Sequence, residues 1–91
     1  MMNEKWGYDV QLRGPARRSL TKLPLKAFEA VAAFMAGPLS ENPHRVGKPL
    51  RNELEGLFGA RVGPYRILYE IDDVVRIVAV IRIGHRADVY H

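Results

Sequence analysis

The spacing of apolar residues in the first half of the chain predicts one strand followed by two helices. Apolar and polar residues alternate from Trp6 to Leu12, which is the period of a strand, and Gly14-Pro15 ends the alternation. Apolar residues then recur every three to four positions in two stretches, the first ending before Pro24 and the second at Gly37-Pro38. The short connection between the two stretches predicts a helix hairpin.

The second half predicts an irregular loop and then three strands. Residues 39–56 carry Pro, Gly and alternating charges, typical of an ordered loop, with one helical turn near Asn52 to Glu55. The predicted strands are Leu57 to Val62, Tyr65 to Ile71 and Val74 to Ile83. Tight turns at residues 63–64 and 72–73 separate them. The last strand is apolar on both faces except at its two arginines, so we expect it inside the sheet.

These elements predict an α+β fold in a single domain, residues 1–91. The expected order is an N-terminal strand, a helix hairpin packed on one face, and a three-stranded antiparallel meander. In the middle strand, the odd positions from Tyr65 to Ile71 are all aromatic or aliphatic, while Arg66, Leu68 and Glu70 fall on the other face. We therefore expect the first face to join the core and the second to carry function.

Composition narrows the class of partner. The chain has a formal net charge of +4, which favours a polyanion or an acidic protein as partner. It has no cysteine, which excludes disulfides, a thiolate metal site and a cysteine nucleophile. No window approaches the roughly 20 apolar residues of a membrane span, and the N-terminus lacks the apolar core of a signal peptide. We expect a soluble, cytoplasmic protein with no membrane contact.

Arginine outnumbers lysine, and it recurs where sheet and turns are predicted. Five cations fall in these segments: Lys48, Arg51, Arg61, Arg66 and Arg86. A guanidinium binds phosphate oxygens in a bidentate manner and stacks on bases, so the bias favours a phosphodiester. Arg61 and Arg66 should meet across a hairpin, with side chains about 5 Å apart, and clamp a phosphate. The alternative is that each pairs with an acidic neighbour, Glu70 or Asp88, on the surface.

Three kinds of side chain could move protons beside these cations. His85, next to Arg86, should be largely neutral and able to act as a base, or is simply an exposed loop histidine. Tyr90 could stack on a base or transfer a proton, or could cap the core. Glu53 and Glu55 could serve as a base, although a solvated carboxylate is the simpler interpretation.

Other chemistries find no support in the sequence. His44 and His91 show no metal-ligand spacing with a second histidine, so we predict no metal site. The phosphate-binding loop GxxxxGK[ST] and the nucleophile motif GxSxG are both missing from the sequence, and no cofactor is expected.

The stretches GKPLRNELEGLFGARVGPYRILYEID and IRIGHRADVY, in this order of elements, resemble the RelE/ParE superfamily of toxins from bacterial toxin–antitoxin modules. The resemblance covers nearly the whole chain. The Gly47 to Leu50 loop, the hairpin with Tyr69 and the late arginine and tyrosine are closer to the RelE branch, which cuts messenger RNA on the ribosome, than to the ParE branch, which poisons DNA gyrase.

The resemblance implies roles for particular residues. Arg66 and Arg86 match arginines that the family places on the scissile phosphate, Tyr90 matches a late catalytic tyrosine, and Arg61 matches a basic strand position. Leu57 and Gly59 stand where well-known members have two lysines. YoeB-like relatives use a glutamate and a late histidine, roles that Glu53, Glu55 or His85 would only approximate, so the resemblance leaves the general base open.

The sequence and the resemblance together predict a metal-independent endoribonuclease toxin. The expected reaction is attack of the ribose 2′-OH on the adjacent phosphate, with Arg61, Arg66 and Arg86 offsetting the charge and Lys48 and Arg51 holding flanking RNA. The expected partners are a cognate acidic antitoxin, messenger RNA and the ribosome. Two alternatives stay open at this point, a non-enzymatic gyrase inhibitor of the ParE type and a toxin whose activity has decayed.

Overall fold

The computed structural model describes residues 7–85 and contains a five-stranded sheet. The strands, in chain order, are β1 (Asp9–Leu12), β2 (Lys48–Pro49), β3 (Phe58–Val62), β4 (Tyr65–Asp72) and β5 (Ile77–His85). Their order across the sheet is β1-β5-β4-β3-β2, with β1 parallel to β5 and the other pairs antiparallel. The predicted α+β class and the N-terminal strand, helix hairpin and meander are confirmed. The interior position predicted for the last strand is confirmed as well.

Two helices form the predicted hairpin. Helix α1 (Gly14–Thr21) begins with Pro15 in its first turn, where a missing N–H costs nothing, and it buries Ala16 and Leu20. Helix α2 is Leu25–Phe34. Among residues 7–85, no helix is long and apolar enough to cross a bilayer.

The prediction that Gly37-Pro38 ends the second helix is wrong. The chain continues through a π-helical segment, Met35–Leu39, that contains Pro38. A π turn bonds to the fifth residue along, which accommodates the interruption that proline makes in an α-helix. The continuation is stabilised by burial, since Leu39 is completely inaccessible to solvent.

The core lies between the helices and one face of the sheet. The face of β4 predicted to be apolar is in this core, with Ile67 and Tyr69 fully buried. The core cluster contains five helical residues and six strand residues: Ala16, Leu20, Val31, Met35, Leu39, Ala60, Ile67, Tyr69, Val78, Val80 and Ile83. Because these strand residues face the core, their neighbours in each strand lie on the opposite face of the sheet.

A bulge in β5 reverses the alternation of that strand. Leu68 pairs with Arg82, but the next residue, Tyr69, pairs with Val80, so β5 contains one extra residue here. Before the bulge the even position Val80 faces the core, and after it the odd position Ile83 does. The shift turns Arg82 away from the core.

Several predicted boundaries differ from the structure. Trp6, the predicted start of the first strand, lies outside the described residues, and β1 begins at Asp9. The last strand begins at Ile77, because the Asp72 carboxylate accepts hydrogen bonds from the backbone N–H groups of Val74 (3.0 Å) and Val75 (3.2 Å) and closes a turn there.

The loop from residue 39 to residue 56 is more regular than predicted. The expected helical turn is confirmed as a 3₁₀ turn at Asn52–Leu54. The short helix α3 (Pro43–Val46) and strand β2 were not predicted. The Tyr69 hydroxyl, buried under this loop, donates a 2.7 Å hydrogen bond to the carbonyl oxygen of Pro43 and so ties the start of α3 to the sheet. Burial raises the pKa of Tyr69 to about 12.

The Tyr69 hydroxyl gives the fold a testable response to alkali. The phenol ionises near pH 10 in the unfolded chain, whereas the pKa of Tyr69 in the folded protein is about 12. The stabilisation is therefore complete below pH 10, and we expect it to be lost as the pH rises to about 12. In Tyr69→Phe, this loss should disappear from the pH dependence of the free energy of unfolding. At neutral pH, Tyr69→Phe should lower the free energy of unfolding by about 1–3 kcal/mol, because the Pro43 carbonyl oxygen loses its hydrogen bond. Urea denaturation of both proteins across this pH range is the measurement. If the free energies of unfolding of the two proteins fell in parallel over this pH range, the raised pKa of Tyr69 would be contradicted.

Candidate functional site

Four cations converge on a pocket beside strand β3. Arg45, Lys48, Arg61 and Arg66 line a concavity of about 370 Å³ together with small and apolar residues of the loop and of β3. Within the described part of the chain, no acidic side chain lines it. The pocket has the size of a small-ligand site, and its charge selects an anion.

The β3–β4 hairpin sets two of these cations directly against each other. Its two-residue turn places Gly63 at a φ of 57°, which glycine adopts without strain. The register that results pairs Arg61 with Arg66. The predicted meeting of the two arginines across the hairpin is therefore confirmed. Like charges at opposed positions disfavour each other, so an anion between the two side chains would offset their repulsion.

On its other side, Arg66 pairs with Gly84 of β5. Because of the bulge, this glycine and not the bulky Ile83 lies opposite Arg66. Arg66 is half-buried, which leaves its charge less screened than that of the exposed Arg61.

The other two cations are placed by the loop that Tyr69 anchors. Arg45 belongs to α3 and Lys48 to β2, which pairs with β3 through Lys48 and Gly59. Between them, Gly47 passes so close to the sheet that a Cβ atom there would collide with the Tyr69 hydroxyl and lie 2.9 Å from the Gly59 carbonyl oxygen. Only glycine lets the chain cross at this height. Sequence reasoning missed Arg45, although Pro43 as a helix start two residues earlier could have indicated a short helix presenting it.

The structure does not bring every predicted residue into the pocket. Arg51 is exposed at the start of the 3₁₀ turn and does not line the pocket, although Leu50 does. Glu53 and Glu55 are exposed in and after the same turn. Arg86 and Tyr90 lie outside the described residues.

His85 lies at the end of β5, not in the loop where it was predicted. It pairs with Tyr65, and the two rings meet edge to face at 6.1 Å between centroids. By strand alternation, these two side chains share the face of Ile67 and Ile83. That face is opposite to the one from which Arg66 projects, so the end of the sheet separates the imidazole of His85 from the guanidinium of Arg66.

A second polar cluster ties α3 to the strand ends. The Asp73 carboxylate accepts a 2.6 Å hydrogen bond from the Tyr8 hydroxyl and lies 2.9 Å and 3.1 Å from the His44 Nε2 atom. The hydrogen bond from Tyr8 and then that from His44 lower the pKa of Asp73. The hydrogen bond from Tyr8 to Asp73 also raises the pKa of Tyr8. The guanidinium carbon of Arg76 lies 4.1 Å from the centroid of the Tyr8 ring. The cluster joins α3, the N-terminal segment and the β4–β5 turn.

Metal chemistry finds no scaffold in the described part of the chain. Within residues 7–85, no three histidine or acidic side chains are grouped so as to hold a metal ion.

The structure is a small basic α+β domain with a pocket lined by cationic side chains at one edge of its sheet. A family model described as the ParE toxin of the type II toxin–antitoxin system parDE matches residues 10–90. Toxin RelG of Mycobacterium tuberculosis is 53% identical over 83 residues, 91% of this chain and 95% of that protein. Toxin RelE of the same organism is 47% identical, over 98% of this chain and 92% of that protein.

A solved structure agrees with these sequence relatives. The toxin–antitoxin complex RelBE2 from Mycobacterium tuberculosis contains a chain that superposes with a TM-score of 0.84 at 51% identity, covering 88% of this chain and 99% of that one. The protein therefore belongs to the RelE/ParE superfamily and is a type II toxin of the RelE family.

The close approach at Gly47 predicts an unequal response of two glycines to alanine. Gly47→Ala should push the loop away from Tyr69 and lower the thermal midpoint, because the added methyl group has no space. Gly37→Ala is the matched control, since a Cβ there meets nothing within 4 Å and alanine favours a helix. Thermal unfolding by circular dichroism measures both. Equal midpoints would contradict the proposed close approach.

Proposed function

We propose that this toxin is a metal-independent endoribonuclease that cleaves messenger RNA on the ribosome in the cytoplasm and thereby inhibits translation. One observation carries the proposal: Arg61 and Arg66 are opposed in register inside a pocket lined by two further cations. Such a pocket fits a phosphodiester, the group at which RNA is cut. The relatives are named Toxin RelE and Toxin RelG, and the resemblance to the RelE branch implies messenger RNA as the target.

The reaction that fits this pocket needs no external nucleophile. The ribose 2′-oxygen forms a bond to the adjacent phosphorus while the bond from phosphorus to the 5′-oxygen breaks. A base takes the 2′ proton, an acid returns a proton to the 5′-oxygen, and a 2′,3′-cyclic phosphate is left upstream. Arg61 and Arg66 donate hydrogen bonds to the non-bridging oxygens, where negative charge grows in the transition state.

The other predicted site residues are assigned partly from the family resemblance and partly from their position in the structure. We assign Arg86 to the phosphate and Tyr90 to proton transfer on the family resemblance. His85 would act on RNA only around the end of the sheet, since it lies on the face away from Arg66. Lys48 lines the pocket and would bind the neighbouring backbone, and Arg51 would bind RNA farther along the loop.

An acidic antitoxin is the expected protein partner. A net charge of +4 and an arginine-lined pocket offer such a partner steering at long range and charge to neutralise at contact. The solved complex RelBE2 contains a toxin together with its antitoxin. We propose that a cognate antitoxin binds this chain and silences it in the same way.

Gyrase inhibition is the second candidate function. It is favoured by the family model that matches residues 10–90, which is named for the ParE toxin. In that case, the four cations of the pocket would contact protein or DNA without cleaving anything. The two functions leave different products in the cell.

Transcript mapping separates these functions. After induction in bacteria, we expect new transcript 5′ ends at preferred codon positions in translated regions, with a 2′,3′-cyclic phosphate or 3′-phosphate on the upstream fragments. Sequencing of 5′ ends, with end-group analysis by phosphatase treatment, is the measurement. Intact transcripts together with a DNA-damage response would favour gyrase, and a 3′-hydroxyl upstream would show that water is the nucleophile.

Arg66 provides the test of the site. Arg66→Ala should reduce the rate of cleavage on programmed ribosomes by roughly 10²–10³-fold, the usual cost of one lost donor to a developing charge. The matched control is Arg18→Ala, which removes the same charge from an exposed position on α1. It should cleave at the wild-type rate. Comparable rates in the two variants would remove Arg66 from the reaction.

A further inference from the structure

Among the described cations of the pocket, Arg45 alone comes from a helix rather than a strand. Helix α3 has only four residues, too few to hold its own shape, so other contacts must set the direction of this side chain. The structure supplies three such contacts, each to a different part of the fold.

Two of the contacts hold α3 against the sheet. The Pro43 carbonyl oxygen accepts the 2.7 Å hydrogen bond from Tyr69, and Pro43 is itself buried. One residue later, the His44 ring packs edge-on against Phe58 at 5.6 Å between centroids. Phe58 stacks on Tyr69 in turn, at 5.7 Å. The first turn of α3 is therefore fixed to β3 and β4.

The third contact fixes the rotation of α3 about its axis. The Nε2 atom of His44 lies 2.9 Å from the Oδ1 atom of Asp73, the same oxygen that accepts the hydrogen bond from the Tyr8 hydroxyl. Successive residues of a helix are turned by about 100°. With His44 directed toward Asp73, Arg45 is turned to the neighbouring side, and there it lines the pocket.

We infer that Arg45 binds a second phosphate of the RNA, next to the one held by Arg61 and Arg66, and that the His44–Asp73 pair acts as its positioning device. The inference rests on the proposed function and extends it to the RNA backbone outside the scissile bond. The pocket volume of about 370 Å³ is consistent with a nucleotide-sized group rather than a lone phosphate.

The binding role is tested with an RNA that cannot be cut. A fluorescent ten-nucleotide 2′-O-methyl RNA lacks the nucleophile, so its affinity for the toxin can be followed by anisotropy at several salt concentrations. Arg45→Ala should weaken binding several-fold and reduce the salt slope by about 0.7, the value of one phosphate contact on a single strand. Arg45→Lys should keep the slope, because it keeps the charge.

The controls separate this inference from the proposed function. Arg18→Ala makes the same change of net charge at an exposed position that does not line the pocket, and it should leave the slope unchanged. If Arg66→Ala weakens binding but Arg45→Ala behaves like Arg18→Ala, the inference on Arg45 is wrong and the proposed function stands. If neither Arg66→Ala nor Arg45→Ala weakens binding, the proposed function itself fails.

The positioning role is tested by a double-mutant cycle. Asp73→Asn keeps an acceptor for His44 and Tyr8, whereas Asp73→Ala removes it at the same change of charge. Asp73→Ala should bind the RNA more weakly than Asp73→Asn in the wild-type background, and the difference should vanish when Arg45 is already alanine. An equal difference in both backgrounds would show that Asp73 does not act through Arg45.

Discussion

A single buried hydroxyl group holds together the basic edge of the sheet in this toxin. The Tyr69 side chain lies in the core, and its hydroxyl is satisfied by the carbonyl oxygen of Pro43, which comes from a loop 26 residues away in sequence. A buried phenol without an acceptor would cost free energy, so the loop is drawn onto the sheet. Gly47 makes the approach possible, and Arg45 and Lys48 are placed on either side of it.

The rest of the pocket follows from strand register. A two-residue turn and a positive φ at Gly63 pair Arg61 with Arg66, and the bulge in β5 sets Gly84 opposite Arg66. The first arrangement favours a bound anion, since two opposed guanidinium groups are stabilised when a phosphate lies between them. The core side of the same strands stabilises the fold, and the opposite face of β4 presents Arg66 beside the buried Leu68.

The sequence predicted what depends on local periodicity. Alternation in Tyr65 to Ile71 identified the core face of β4, and the short turn after Val62 was enough to bring Arg61 and Arg66 together. Prediction failed where one side chain overrides a local preference. The carboxylate of Asp72 turns Val74 and Val75 into a loop despite their preference for strands.

Long-range effects explain the other misses. The position of Arg45 depends on the hydrogen bond between Tyr69 and Pro43, and no local pattern around residue 45 contains that information. The face of His85 depends on the extra residue in β5, because a single bulge exchanges the two faces of the strand beyond it. Each of these features is a tertiary contact or a register shift, which a single sequence does not reveal.

The most direct test of the basic pocket follows the guanidinium groups themselves. In NMR spectra of the toxin titrated with an uncleavable 2′-O-methyl RNA, the side-chain Nε–H signals of Arg45, Arg61 and Arg66 should shift together and saturate with one binding constant. The signal of Arg18, on the outer surface of α1, should stay in place. Shifts centred on α1, with the three pocket arginines unchanged, would contradict the assignment of this edge as the RNA site.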